Sequence, residues 1–278
     1  MFFMPNVVRD LPTMKSVHFP VFEVITPVTG VSVEVRGVTV AQESALYESA
    51  VSQQKYISMI NQTLFECIEN KEPPYDTLEG FEKNLTESDR YALMYGVLVS
   101  TYGDEIETTV VCRNCGKENK MKVKLSEYMT IEQYKGRENI FNKELEVVLP
   151  ISKYKAIIKM PTLWDERQVN LLKNIDRDIL TKMSLYTMVK KLIIPGSETK
   201  SDGSVVESNY TVDKTVEIYS VINNLPAKDN KTILKAWKDN FDKYKIDFKI
   251  DGNCSQCNTE FKQTINIGQE LFRLLSEI

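Results

Sequence analysis

Two C-x-x-C pairs, Cys112/Cys115 and Cys254/Cys257, are the residues whose types and spacing can do chemistry in this chain. Each pair sits at the tip of a stretch that reads as strand–turn–strand. A C-x-x-C knuckle aims two sulfurs at one point, and two knuckles supply four thiolates, the ligand set of a tetrahedral structural zinc site. Gly116 follows the first knuckle, where a turn calls for positive φ. The 138 residues between the pairs (116–253) would then be a closed loop with both ends in one staple. Spacing alone leaves other readings open. A redox pair favours a C-x-x-C that opens a helix, whose dipole lowers the thiol pKa; here both pairs fall between strands. Disulfides, or four unligated thiols, are the remaining alternatives. Four thiolates fill a coordination sphere and leave no open position. The expected metal is therefore structural, one Zn2+ per chain, with Cys112, Cys115, Cys254 and Cys257 as ligands.

Other chemistry is hard to find. The single histidine, His18, lies in the apolar stretch Val17–Phe22 and cannot build a multi-histidine site. Phosphate-loop, dinucleotide-fold, zinc-protease and nucleophile-elbow motifs do not occur. Carboxylate pairs such as Asp165-Glu166 are expected to be helix N-terminal charges. Lys120, Lys122 and Lys124 alternate along one side of a strand and read as a solvated face, with a phosphate track as the alternative. No enzymatic activity is expected. A net charge of −4 and a pI near 5.4 argue against a general nucleic-acid surface. Neither a membrane span nor a secretory signal is expected. Five cysteines, four of them in C-x-x-C pairs, suit a reducing compartment and a metal. The fifth, Cys67, reads as a buried free thiol.

The elements that must position the knuckles follow from periodicity. Prolines at 5, 12, 20 and 27 predict an extended N-terminal arm over residues 1–30. Val31, Val33 and Val35 alternate with Ser32, Glu34 and Arg36 in a half-buried strand. Thr39 and Gln42 form a capping-box pattern before a long helix over 40–70, which Pro73-Pro74 ends. A second helix starts near Thr86, with Asp89 three residues on, and closes at Gly103-Asp104. The first hairpin follows, then a polar irregular stretch (126–142) and a strand pair near 145–160. Thr162 caps another helix, and 178–194 is predicted helical. Residues 196–208 read as loop, with a tight turn at 200–204. Helices over 213–225 and 226–243 precede the second hairpin and a short terminal helix.

The predicted fold class is α+β: helical segments around a small antiparallel sheet built from two C-x-x-C hairpins sharing one zinc. The organisation expected is an arm (1–30), a strand plus two helices (31–104), zinc-ribbon-like hairpins with the terminal helix (105–125 and 244–278), and a mostly helical insertion (126–243).

The order of short motifs carries a resemblance over roughly residues 10–175. Leu11-Pro12-Thr13, the strand end Val35-Arg36-Gly37-Val38-Thr39-Val40, the helix with Cys67-Ile68, Ser100-Thr101-Tyr102-Gly103-Asp104, the Cys112–Cys115 knuckle, Leu149-Pro150 and Met160-Pro161-Thr162 follow one another. This order resembles the baseplate hub assembly family of T-even-type contractile-tailed bacteriophages. Gly37 departs from it, standing where the family pattern has proline. The resemblance implies a structural part of a viral tail baseplate, in or beside the hub. It would contact other baseplate, hub or spike proteins, with its N-terminal arm docked on a neighbour. Its place would be the virion, and the host cytoplasm during assembly. It implies no catalytic residues. A zinc-ribbon protein that binds nucleic acid or serves transcription is the competing class, and a hydrolase with an unrecognised carboxylate site is a third.

Overall fold

The structure, a computed structural model, describes residues 20–49, 53–127, 140–171, 183–199, 201–202, 204–242, 246 and 248–264. His18, the first part of the predicted arm, most of 126–142 and the predicted terminal helix lie outside them. Two hydrophobic clusters organise the described residues.

The first cluster is built on two strands and four helices. β1 (Val21–Ile25) pairs antiparallel with β2 (Ser32–Arg36), so part of the stretch predicted as an arm belongs to a hairpin. Val33 and Val35 point inward, as their alternation requires. The predicted long helix is two, α1 (Val40–Ser49) and α2 (Gln53–Cys67). Thr39 and Gln42 cap α1 reciprocally: the Gln42 amide donates to Thr39 Oγ1 at 3.3 Å, and the Thr39 amide donates to Gln42 Oε1 at 3.0 Å. A short helix the sequence reading passed over, α3 (Leu78–Asn84), is capped by Thr77 and buries Phe81 completely. α4 (Glu87–Tyr102) starts at the Thr86/Asp89 capping box and ends at Gly103, whose φ is 90°.

α4 lies close against the first hairpin. A Cβ on Gly96 would stand 2.3 Å from Val24 and 2.7 Å from Val35, so only glycine permits this approach. The first knuckle hairpin, β3 (Glu105–Val111) with β4 (Glu118–Lys124), adds Ile106, Val110 and Val123 to this core.

The second cluster covers one face of a four-stranded antiparallel meander. β5 (Glu144–Val148) and β6 (Lys155–Lys159) are the predicted strand pair. α5 (Leu163–Asn170) follows from the Thr162/Asp165 capping box, and α6 (Met183–Met188) from the region predicted helical. That helix does not reach Ile194. The chain turns at Val189 into β7 (Val189–Thr199), which pairs with β6 and with β8 (Val205–Val212). The stretch predicted as loop is thus mostly hairpin. The tight turn stands where predicted, with Ser204 donating from N and Oγ to Asp202 Oδ1 at 2.8 and 2.6 Å. α7 (Thr215–Asn224) and α8 (Ala227–Phe241) complete the cluster with Ile218, Ile222, Ile233 and Phe241.

The chain then returns to the first cluster. Ile246, Phe248 and Ile250 are buried there, and Phe248 stacks on Tyr95 of α4 at 6.3 Å. β9 (Lys249–Asn253) and β10 (Glu260–Thr264) form the second knuckle hairpin. Mixed helix and antiparallel sheet agree with the predicted class, but one small shared sheet does not. The two knuckle hairpins are separate two-stranded sheets, alongside the β1–β2 hairpin and the meander. They meet through side chains at their tips, where no backbone ladder runs between them.

Candidate metal centre

The two knuckles are built alike, because the same local needs shape both. In the first, Cys112 N donates to Lys117 O at 2.8 Å and Gly116 N to Cys112 O at 2.9 Å. In the second, Cys254 N donates to Thr259 O at 3.0 Å and Asn258 N to Cys254 O at 2.9 Å. Each turn needs one residue with positive φ just after its second cysteine. Gly116 supplies it at 73°, and Asn258 at 56°, asparagine being among the residues that tolerate this region best after glycine.

The tips bring all four predicted sulfurs together. Cys112, Cys115, Cys254 and Cys257 place their Sγ atoms within 4.8 Å of one another, and this is the cluster among the described residues able to hold a metal ion. Cys112 Sγ is 3.6 Å from Cys257 Sγ, and Cys115 Sγ is 3.6 Å from Cys254 Sγ, so the close pairs cross between hairpins. All four are free thiols. Four sulfurs about 2.3 Å from one ion would stand roughly 3.8 Å apart. The donor set, its count and its spacing therefore fit a tetrahedral ion.

Electrostatics points the same way. The Thr259 hydroxyl and amide, with the Asn114 side chain, hold Cys257 down to about 5. The amides of Cys257 and Gln256 lower Cys254. The Lys117 amide also lowers Cys115, but burial and hydrogen bonds with the other three thiols outweigh it and push Cys115 up to about 12. The second knuckle is disposed to ionise and Cys115 resists. Like charges at this separation disfavour one another, so four thiolates need a cation among them.

Side chains that sequence reasoning missed join the hairpins. Asn119 of β4 is buried and reaches the second knuckle, accepting from Ser255 N at 2.9 Å and Ser255 Oγ at 2.8 Å. Asn114 Nδ2 donates to Thr259 Oγ1 at 3.2 Å. Gly252 leaves room for Met121 Cε, which would be 3.2 Å from a Cβ there. A signal for Asn119 was present in the alternation: it extends the inward row of Met121 and Val123, and a polar residue in a core-facing row needs a partner.

The other singled-out residues are elsewhere and have structural roles. Cys67 is buried, with Sγ 3.9 Å from Gly37 O, and burial pushes its thiol up to about 11. Asp165 completes the α5 capping box and pairs with Lys159 at 2.6 Å. Glu166 binds Arg90 of α4 at 2.6 Å. Lys122 and Lys124 stand opposite Glu107 and Glu105 across the ladder, and Lys120 lies 3.5 Å from Glu107. Two carboxylates thus offset part of the charge of the three lysines. No helix among the described residues is long and apolar enough to cross a membrane.

Comparison with known proteins gave one assignment. A family model described as T4 bacteriophage base plate protein matches residues 19–273. No curated protein and no solved structure matched.

Proposed function

The chain belongs to the T4 bacteriophage base plate protein family, and on that premise we propose that it is a structural subunit of a contractile-tail baseplate, in or beside the hub. The match across residues 19–273 carries this reading. It includes both knuckles and both hydrophobic clusters, so the family pattern spans the whole architecture. Such membership implies contacts with other baseplate proteins and a place in the virion tail. The role proposed is association through surfaces, without a catalysed reaction. Assembly would begin in the host cytoplasm, with the N-terminal arm docked on a neighbouring baseplate or spike protein.

Within that role, Cys112, Cys115, Cys254 and Cys257 hold one structural zinc ion. Thiolates are soft donors, and four of them in tetrahedral spacing suit zinc. The ion would fix the two hairpins against each other and so set the surfaces around them. Supporting this are the 4.8 Å cluster and the 3.6 Å approaches of Cys112 to Cys257 and Cys115 to Cys254 across the two hairpins.

Metal analysis and particle assembly test the two parts separately. One zinc per purified chain is expected, and four titratable thiols with no metal would refute the zinc. Phage carrying a disrupted gene for this chain should accumulate tail parts lacking complete baseplates. Normal tails from such phage would refute the baseplate role.

A further inference from the structure

Asn119 is buried, and its carboxamide is fully engaged. Oδ1 accepts from Ser255 N and Ser255 Oγ. Nδ2 donates towards Lys117 O at 3.0 Å, Val110 O at 3.3 Å and Cys254 Sγ at 3.7 Å. The orientation of the amide follows from its partners, since a backbone amide can only donate and a carbonyl can only accept. Residue 119 is 136 positions from residue 255, so these bonds close the same long loop that the cysteines close. None of them requires a metal ion.

We propose that Asn119 is a positioning residue for the metal centre, latching the second knuckle onto β4 in the metal-free chain so that the four thiols are assembled before an ion arrives. The proposal deepens the zinc reading and rests on it for affinity alone. Closing a loop has an entropic cost that rises with its length. A contact that closes it without metal raises the effective concentration of one thiol pair about the other. Asn119 is suited to this because it is itself buried and its removal takes the partner from the part-buried Ser255 N–H, while Lys117 O keeps its bond from Cys112 N. The Asn114–Thr259 bond also crosses between the hairpins but is exposed, where water replaces either partner.

Hydrogen exchange on the full-length, reduced, chelator-treated chain tests the latch without metal. The Ser255 amide should exchange slowly in the wild type and about tenfold or more faster in Asn119→Ala. Asn119→Asp keeps an acceptor for Ser255 but turns an oxygen on Lys117 O, Val110 O and Cys254 Sγ, so Ser255 should exchange at a rate between wild type and Asn119→Ala; it also serves if the alanine variant does not fold. Rapid Ser255 exchange in the metal-free wild type, or equal rates in wild type and Asn119→Ala, overturns the latch. Zinc affinity, read by competition with a chromophoric chelator, should fall about 10- to 100-fold in Asn119→Ala. Unchanged affinity in Asn119→Ala overturns the positioning role. A wild-type chain that takes up no zinc overturns the zinc reading, and the exchange comparison then still decides the latch.

Discussion

Two seams tie distant parts of this chain together, and they differ in the source of their countercharge. Where α5 meets α2, α3 and α4, the chain brings both signs. Arg90 is held by Glu166 and lies 3.4 Å from Asn61, and Glu82, buried, takes Asn61 at 3.2 Å and Arg167 at 2.8 Å. Leu163 N donates to Leu85 O, and Thr86 and Thr162 form a bridge, so two capping boxes sit side by side. Where the knuckles meet, the chain brings four groups that ionise to one sign. The first seam is complete as folded. The second is joined by the Asn119–Ser255 bond and the packing of Phe248 on Tyr95, and its four thiols would need their charge balanced from outside. With the proposed metal, such a protein would have one joint set by sequence alone and one set by sequence and metal together.

Removing the metal should therefore produce the largest effect. Chelation, or Cys112→Ser with Cys254→Ser, is expected to lower the unfolding free energy on the order of 5 kcal/mol, below the full value of a metal-dependent peptide because the hairpins have other anchors. Urea unfolding with and without chelator measures it. Trp164 lies on α5 against Lys83 and Arg167, and Trp237 donates to Lys159 O at 3.1 Å. Both report the first seam and the meander, not the knuckles. A chelator that leaves the unfolding midpoint unmoved would remove the distinction between the seams.

The seam that carries both charges should respond to losing one of them. Glu166→Ala leaves the Arg90 guanidinium buried without its carboxylate, a loss of about 3 kcal/mol. The seams share no partner, so this loss and that of chelation should add to within about 0.5 kcal/mol. A double perturbation that departs far from additivity would show one network where two are described.

The cysteine seam was legible because its signal is local: a knuckle is four residues, and the flanking alternation of Ile106 and Val110 announces its strands. The capping boxes at Thr39, Thr86 and Thr162 were legible for the same reason. The ion-pair seam was not, since nothing in Glu166 or Arg167 says which distant residue answers it. β7 was misread because its apolar residues, Val189 and Leu192–Ile194 on either side of Lys190 and Lys191, are too few for periodicity to divide between helix and strand. β8 was missed because most of its residues are exposed and no apolar alternation marks them. One shared knuckle sheet was expected because two hairpins with a common ligand set invite pairing. The thiols hold the tips, and no ladder is needed.

The smallest of these effects belongs to Asp229, and it separates how acid acts on the two kinds of charge. Asp229, buried in the first turn of α8, accepts from Ile151 N and Ser152 N at 2.9 Å each. Burial pushes this carboxyl up, but the two amides outweigh it and hold it below the usual carboxylate range. A carboxyl depressed on folding contributes stability in full above its unfolded value, about 3.9, and loses it as pH falls through the folded value. Asp229→Asn turns one acceptor into a donor facing an amide and should cost about 2 kcal/mol at neutral pH. The gap between variant and wild type should begin to narrow below about pH 4 and close as pH falls through the lower folded value, where the wild-type carboxylate is itself neutralised. The measurement belongs in the chelated chain, because acid also protonates thiolates and displaces their metal. A gap that stays constant down to low pH would assign the loss to packing. A narrowing gap would show that acid weakens the carboxylate by neutralising an acceptor, whereas at the knuckles it would act by releasing the proposed cation.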